Sequence, residues 1–288
     1  MSDKTQGNKL MYEQIKYEVD GPSAVITLNR PDALNALTGI MIEELKHALA
    51  AAEKDESVVG IILTGAGRGF CAGMDMNALD ATASGGGSSA AVAQKKMDAD
   101  PGDKSMGPDF EVAFTYIMSI RKPIIVAVNG ACAGLGMSIA LLCDMRFACE
   151  NTRFITAFSQ RGLIAEHGQS WILPRIVGPA RALDLLWSSR RLSAEEAKDF
   201  GLVERIFPDD ELLDQTKVYI QGLADTSAPV SMMVMKQQVY RHMNMNLGEA
   251  MQDSNKLMAE SLQRSDFKEG VRSFMEKRSP GFKRIEVN

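Results

Sequence analysis

Apolar positions along this chain switch between two periods, and the switches mark out the elements. Residues 15–19 and 24–28 are strand-like runs on either side of Asp20-Gly-Pro-Ser23, a turn sequence, and together they predict an initial hairpin. Thr38 is placed to cap a helix over 39–52, in which Ile42, Leu45 and Leu49 share one stripe. A short unbroken apolar run at 58–63 predicts a buried strand, and a second run at 124–128 predicts another. Helical spacing over 110–121, stopping before Pro123, and over 135–142 surrounds that second run, and 145–148 and 153–155 follow as short strands. Regular βα alternation of this kind calls for a mostly parallel sheet with crossover helices. From residue 180 onwards only the helical period remains, over 180–188, 193–200, 210–227, 231–243, 247–260 and 266–276, and Ser193-Ala-Glu-Glu196 has the form of a capping box.

The pattern fails between Ala81 and Asp109. Gly85-Gly-Gly87, Pro101-Gly102 and Gly107-Pro108 punctuate a stretch of Gly, Ser, Ala, Asp and Lys with little apolar surface to offset its ordering entropy. It is expected to be a mobile insertion or lid beside the substrate, the alternative being a surface loop without a role.

Composition narrows the function classes. The 288 residues suit one large core with a smaller appendage. A formal net charge of −5 argues against a general nucleic-acid binder, so any anionic ligand must be held locally. The cysteines, Cys71, Cys132, Cys143 and Cys149, sit in apolar or glycine-rich context without a Cys-x-x-Cys pair, which favours buried reduced thiols over a disulfide or a metal site. The first residues are polar and lack the marks of a secretory or transit segment, and apolar runs are too short for a membrane span; a cytoplasmic protein with no membrane partner is expected.

Two glycine-rich stretches carry the chemistry: Phe70-Cys-Ala-Gly-Met-Asp75 and Asn129-Gly-Ala-Cys-Ala-Gly-Leu-Gly-Met-Ser138. Each follows a strand-like run and leads towards a helix. Glycine lets a backbone approach a ligand with its N–H groups outwards, and two such loops facing each other would supply convergent donors for an enolate or oxyanion derived from a thioester.

With these loops the sequence resembles the crotonase superfamily (enoyl-CoA hydratase/isomerase). The matching segments also include Asn29-Arg-Pro-Asp-Ala-Leu-Asn-Ala-Leu37, residues 123–144 and residues 161–175, in the family's order and spacing. The resemblance implies an α/β fold, a crotonase-like spiral of ββα units followed by a C-terminal helical region. Its expected divisions are a flexible N-terminus over 1–12, a spiral core over 13–205 containing the insertion, and a helical oligomerisation region over 206–288. It also implies an acyl-CoA thioester substrate, a homotrimer or dimer of trimers, and no cofactor beyond the coenzyme A of the substrate. The clustered methionines of the last third, Met232, Met233, Met235, Met243, Met245, Met251 and Met258, suit an adaptable core or subunit interface.

Residue by residue, the resemblance places the oxyanion-hole N–H groups at Met74 and Leu135. Asp75 and Asp144 read as structural, through helix capping and local hydrogen bonding. The best-known hydratases use two glutamates, and the corresponding positions here hold Ser138 and Phe158, which cannot act as bases. The carboxylate left in the neighbourhood is Glu166, at a position matching a catalytic aspartate in dienoyl-CoA isomerases, the ring-epoxide isomerase of phenylacetate breakdown and 4-chlorobenzoyl-CoA dehalogenase. The dehalogenase chemistry is discounted, since its nucleophile is an aspartate with a tryptophan partner. Glu166 is therefore the expected acid/base, with Ser138, Phe158 and His167 in the acyl pocket. Arg161 and Arg175 are expected to brace the turn. For coenzyme A the matching candidates are Ala33, Phe70 and Ala72, together with Lys277, Phe282 and Lys283 of the closing segment, which in the family often reaches a neighbouring subunit. Hydration of a 2-enoyl-CoA and double-bond isomerisation both remain open, and a silent acyl-CoA-binding homologue is the alternative from another class.

Overall fold

The computed structural model describes residues 12–84 and 97–287, so all but Tyr12 of the expected flexible N-terminus, and the middle of the expected insertion, lie outside the described residues; the Tyr12 hydroxyl meets His47 Nδ1 at 2.9 Å. The chain opens with strands β1 (Ile15–Asp20) and β2 (Ser23–Leu28), antiparallel, with Ile15 opposite Leu28 and Gly21 turning at φ 55°. Helix α1 (Gly39–Lys54) follows, its first turn capped by Thr38, whose side chain accepts the Met41 N–H at 3.1 Å. Its Met41, Leu45, Ala48, Leu49 and Ala52 recur at helical spacing and are buried in the main core.

Three units then repeat one plan. Strands β3 (Gly60–Gly65) and β4 (Gly69–Cys71) lead into helix α2 (Met76–Ala83). After the short helix α3 (Tyr116–Ser119), strands β5 (Ile124–Val128) and β6 (Ala131–Ala133) lead into α4 (Leu135–Leu142). Strands β7 (Met145–Cys149) and β8 (Arg153–Ile155) lead into α5 (Gln169–Val177). In each unit the first strand joins one sheet and the second strand joins the other, which is what winds the chain into a stacked spiral. Helix α6 (Pro179–Ser188), strand β9 (Leu192–Ser193), helix α7 (Ala194–Asp199) and strand β10 (Arg205–Phe207) complete the sheets. The larger sheet has the order β1-β2-β3-β5-β7-β10 and is parallel except at β1; the smaller has the order β4-β6-β8-β9, with only β9 antiparallel.

Every residue of β3 and β5 is buried, as a parallel sheet covered on both faces requires. Ile61 and Leu63 face the main core, whereas Ile62 faces a second cluster with Phe147, Leu212 and Ile220. Leu212 and Ile220 belong to α8 (Leu212–Thr226), which packs on that face, and α9 (Pro229–His242), α10 (Leu247–Ser261) and α11 (Ser265–Glu276) finish the chain. Asp144 joins α9 to the sheet: it accepts from the Ile124 N–H at 2.7 Å and the Tyr240 hydroxyl at 2.8 Å, and pairs with Lys236 at 2.8 Å. Its expected structural role is the one it performs. All four cysteines are free and buried, and burial pushes the Cys71 and Cys143 thiols up to about 12.

Four points of the expected fold need correction. The helix expected over 110–121 shrinks to α3, because Ala113 is left-handed at φ 45° and interrupts the helical path. Helix α5 was not expected, since Pro174 lies inside it; Arg175 stabilises it by stacking over Trp171 at 4.0 Å and donating to its carbonyl. The described end of the insertion is anchored rather than bare. Met106 is buried there, and the buried Glu53 carboxylate accepts the Gly102 N–H at 2.8 Å and also binds Arg121. At α7, Ser193 caps the Glu196 N–H, but the Glu196 carboxylate binds Arg190 at 2.7 Å.

Candidate active site

The two glycine-rich stretches meet because each contains a short strand of the smaller sheet. β4 and β6 run parallel with Cys71 opposite Cys132, which sets the loops that follow them side by side. Two glycines permit the approach. A side chain at Gly136 would place its Cβ 2.5 Å from the Cys71 carbonyl oxygen, so only glycine lets α4 close on β4. A Cβ at Gly73, where φ is 98°, would lie 3.0 Å from the Ala133 carbonyl oxygen and 3.4 Å from the Leu135 nitrogen.

The segment before α1 fixes the first loop. Leu37 donates its N–H to the Gly73 carbonyl at 2.7 Å and accepts the Asp75 N–H at 3.0 Å, leaving the Met74 N–H between them without a protein partner among the described residues. The Leu135 N–H, at the start of α4, is likewise unpaired among them. The buried Asn35 holds this segment in shape: it is left-handed at φ 56° and its amide donates to the carbonyls of Ala66 and Gly69.

Met74 and Leu135 both line one cleft of about 530 Å³, together with Arg30, Ala33, Ala72, Phe158, Arg161, Leu163, Glu166 and His167. Asp75 lines it too, but is committed: one oxygen caps α2 through the Asn77 N–H at 3.0 Å, and the other pairs with Arg30 at 2.9 Å. The Glu166 carbonyl accepts the Gln169 N–H at 3.0 Å, while among the described residues its carboxylate meets His167 alone, at 3.5 Å, and its side chain is 42 % exposed. Its surroundings therefore enclose it only in part. His167 is left-handed at φ 51°, its ring stands edge-on to Phe114 with centroids 5.5 Å apart, and burial lowers its pKa while the Glu166 carboxylate pulls it up.

Of the residues expected at the site, Ala33, Ala72, Met74, Leu135, Phe158, Glu166 and His167 come together here. Ser138 does not line the cleft; it is fully buried on α4 and hydrogen-bonded to Gln169 at 3.0 Å. Phe70, expected to offer its backbone to the nucleotide, is 0 % exposed as a whole residue and does not line the cleft. Lys277, Phe282 and Lys283 follow α11, whose end folds back through Arg278 to Glu269, and do not line the cleft of their own chain. Arg161 braces its turn by donating to the Ala157 carbonyl at 2.7 Å, yet also lines the cleft. Arg30 is the functional candidate that sequence reasoning passed over, although it lies in the Asn-Arg-Pro segment that carries the resemblance.

A spiral of ββα units wound across two mostly parallel sheets and followed by C-terminal helices is the crotonase fold. The chain belongs to the enoyl-CoA hydratase/isomerase family, whose model matches residues 20–285. It is 33% identical over 279 residues to the 1,2-epoxyphenylacetyl-CoA isomerase of Escherichia coli (strain K12), covering 94% of this chain and 99% of that protein. It is 33% identical over 274 residues to a probable enoyl-CoA hydratase of Rhizobium meliloti (strain 1021), covering 95% and 99%. Among solved structures, an enoyl-CoA hydratase from Polaromonas sp. JS666 superposes with a TM-score of 0.81 at 28% identity, over 93% of this chain and 99% of that one. No helix among the described residues is long and apolar enough to cross a membrane.

Proposed function

We propose that this protein is an enzyme that binds a coenzyme A thioester with its carbonyl oxygen between the N–H groups of Met74 and Leu135, and that Glu166 moves a proton on the acyl group held beneath them. The observation that carries the reading is the pairing of those two unsatisfied donors with Glu166, the cleft carboxylate that neither caps a helix nor binds an arginine. Negative charge on the thioester oxygen then develops against fixed dipoles, which cost no reorganisation as the enolate forms. A single carboxylate that takes a proton from one carbon and returns it to another suffices for double-bond isomerisation, the reaction we favour. Hydration of a 2-enoyl-CoA is the second reading, supported by the exposure of Glu166, which leaves room for a water between it and the acyl group.

In the ground state Ala33 and Ala72 would lie along the coenzyme A moiety, and Arg161, with Arg30 whose charge Asp75 partly balances, would offer local positive charge to its phosphates despite the chain's net charge of −5. Phe158 and His167 would border the acyl group. Lys277, Phe282 and Lys283 would complete the nucleotide site from a neighbouring subunit. A spectrophotometric panel on crotonyl-CoA and a 3-enoyl-CoA tests the reading. Conversion of the 3-enoyl ester is the expected result; conversion of crotonyl-CoA alone selects hydration, and binding without conversion of either overturns catalysis.

A further inference from the structure

We infer that Gln169 is a positioning residue for the peptide that presents the Leu135 N–H, an inference that rests on reading this N–H as an oxyanion donor. Gln169 opens α5 and is completely buried. Its Nε2 lies 3.0 Å from the Ser138 hydroxyl and 3.3 Å from the Gly134 carbonyl oxygen. Its Oε1 is also buried and has no partner among the described residues. A leucine or methionine would fill this space without burying an unsatisfied acceptor, so the amide is retained at a cost in stability for what its N–H groups hold.

What they hold is the far end of the donor peptide. The Gly134 carbonyl and the Leu135 N–H belong to one peptide unit, and no cis bond occurs among the described residues, so the two point in opposite directions and fixing one aims the other. Gly134, at φ 52° and ψ −120°, gives that unit the least steric guidance in the loop. Three donors converge on its oxygen: the Gln169 amide, the Ser138 N–H at 3.1 Å and the Ser138 hydroxyl at 3.4 Å. Hydrogen bonds to a peptide oxygen also polarise the N–H at the other end, strengthening it as a donor. The other loop follows the same logic with main chain alone, since the Gly73 carbonyl, paired in one peptide with the Met74 N–H, is held by the Leu37 N–H at 2.7 Å. Ser138, which cannot serve as a base, thus has a task together with Gln169.

The experiment is isotope-edited infrared spectroscopy of carbonyl-labelled butanoyl-CoA, a saturated ester that cannot turn over, bound to wild type and to Gln169→Leu. The bound wild-type carbonyl band is expected below its frequency in water, and in Gln169→Leu it moves back towards the free value. In parallel, kcat on the preferred unsaturated ester falls roughly tenfold with KM little changed, less than the loss of a whole donor would cause, and Tm does not fall. Ser138→Ala shifts the band in the same direction but less, because Gln169 keeps its own bond to Gly134. A wild-type carbonyl frequency in Gln169→Leu overturns the assignment. Absence of any downshift in wild type instead removes the oxyanion reading, and this role with it. If Gln169→Leu yields no folded protein, Gln169→Met, which keeps length and removes both amide groups, gives the same readout.

Discussion

Glu166 and His167 are adjacent in sequence and 3.5 Å apart, yet their surroundings treat them differently: Glu166 is open to solvent on one side, while His167 packs edge-on against Phe114. Burial favours the neutral imidazole, so its pKa in the folded protein lies below the ordinary value of about 6.5. For a group depressed in this way, the stabilisation is fully present above pH ~6.5 and is lost as the pH falls through the folded value, because the unfolded chain takes up the proton first. His167→Asn tolerates the left-handed backbone and removes the titration. Thermal melts from pH 8 to pH 5 should show wild type losing stability relative to this variant below about pH 6.5, and parallel curves would refute it. Residue by residue, the loop positions Met74 and Leu135 were legible because a motif places its backbone directly. Ser138 was misplaced because a motif fixes a position along the chain without fixing the face to which a side chain turns, and Phe70 because its whole residue, main chain included, lies beneath the surface.

At the scale of elements, the site depends on how closely α4 approaches β4. Gly136→Ala forces a Cβ to 2.5 Å from a backbone oxygen that cannot swing aside, so the helix must shift and carry the Leu135 N–H with it. A loss of ~1–3 kcal/mol in chemical denaturation is expected, with turnover falling further than stability alone explains; unchanged melting and turnover would show that the approach is not needed. The larger elements were readable from period and capping, as with α1 and its Thr38 cap. Strands β4 and β6 were not, since three-residue strands inside glycine-rich stretches carry no apolar period of their own. Helix α5 was hidden by Pro174, and α3 was over-extended because nothing in the sequence announces a left-handed alanine at 113.

For the whole molecule, the spiral itself came from resemblance, because alternation of β and α specifies a parallel sheet but not the transfer of every second strand to another sheet. Assembly is likewise beyond a single chain's pattern. The last helices leave a broad apolar surface, with Met258, Phe267, Phe274 and Met275 between 48 % and 85 % exposed. We propose this patch as the subunit interface, so sedimentation should give a trimer or a dimer of trimers; a monomer at micromolar concentration would contradict this and leave Lys277, Phe282 and Lys283 without a neighbouring cleft. Glu166→Gln is the most direct test of the catalytic centre, since it preserves the shape of the side chain and removes its proton chemistry. Turnover of the preferred unsaturated acyl-CoA and affinity for butanoyl-CoA should be measured together: turnover should drop about a hundredfold or more with affinity nearly unchanged, whereas near wild-type turnover would show that Glu166 does not move the proton.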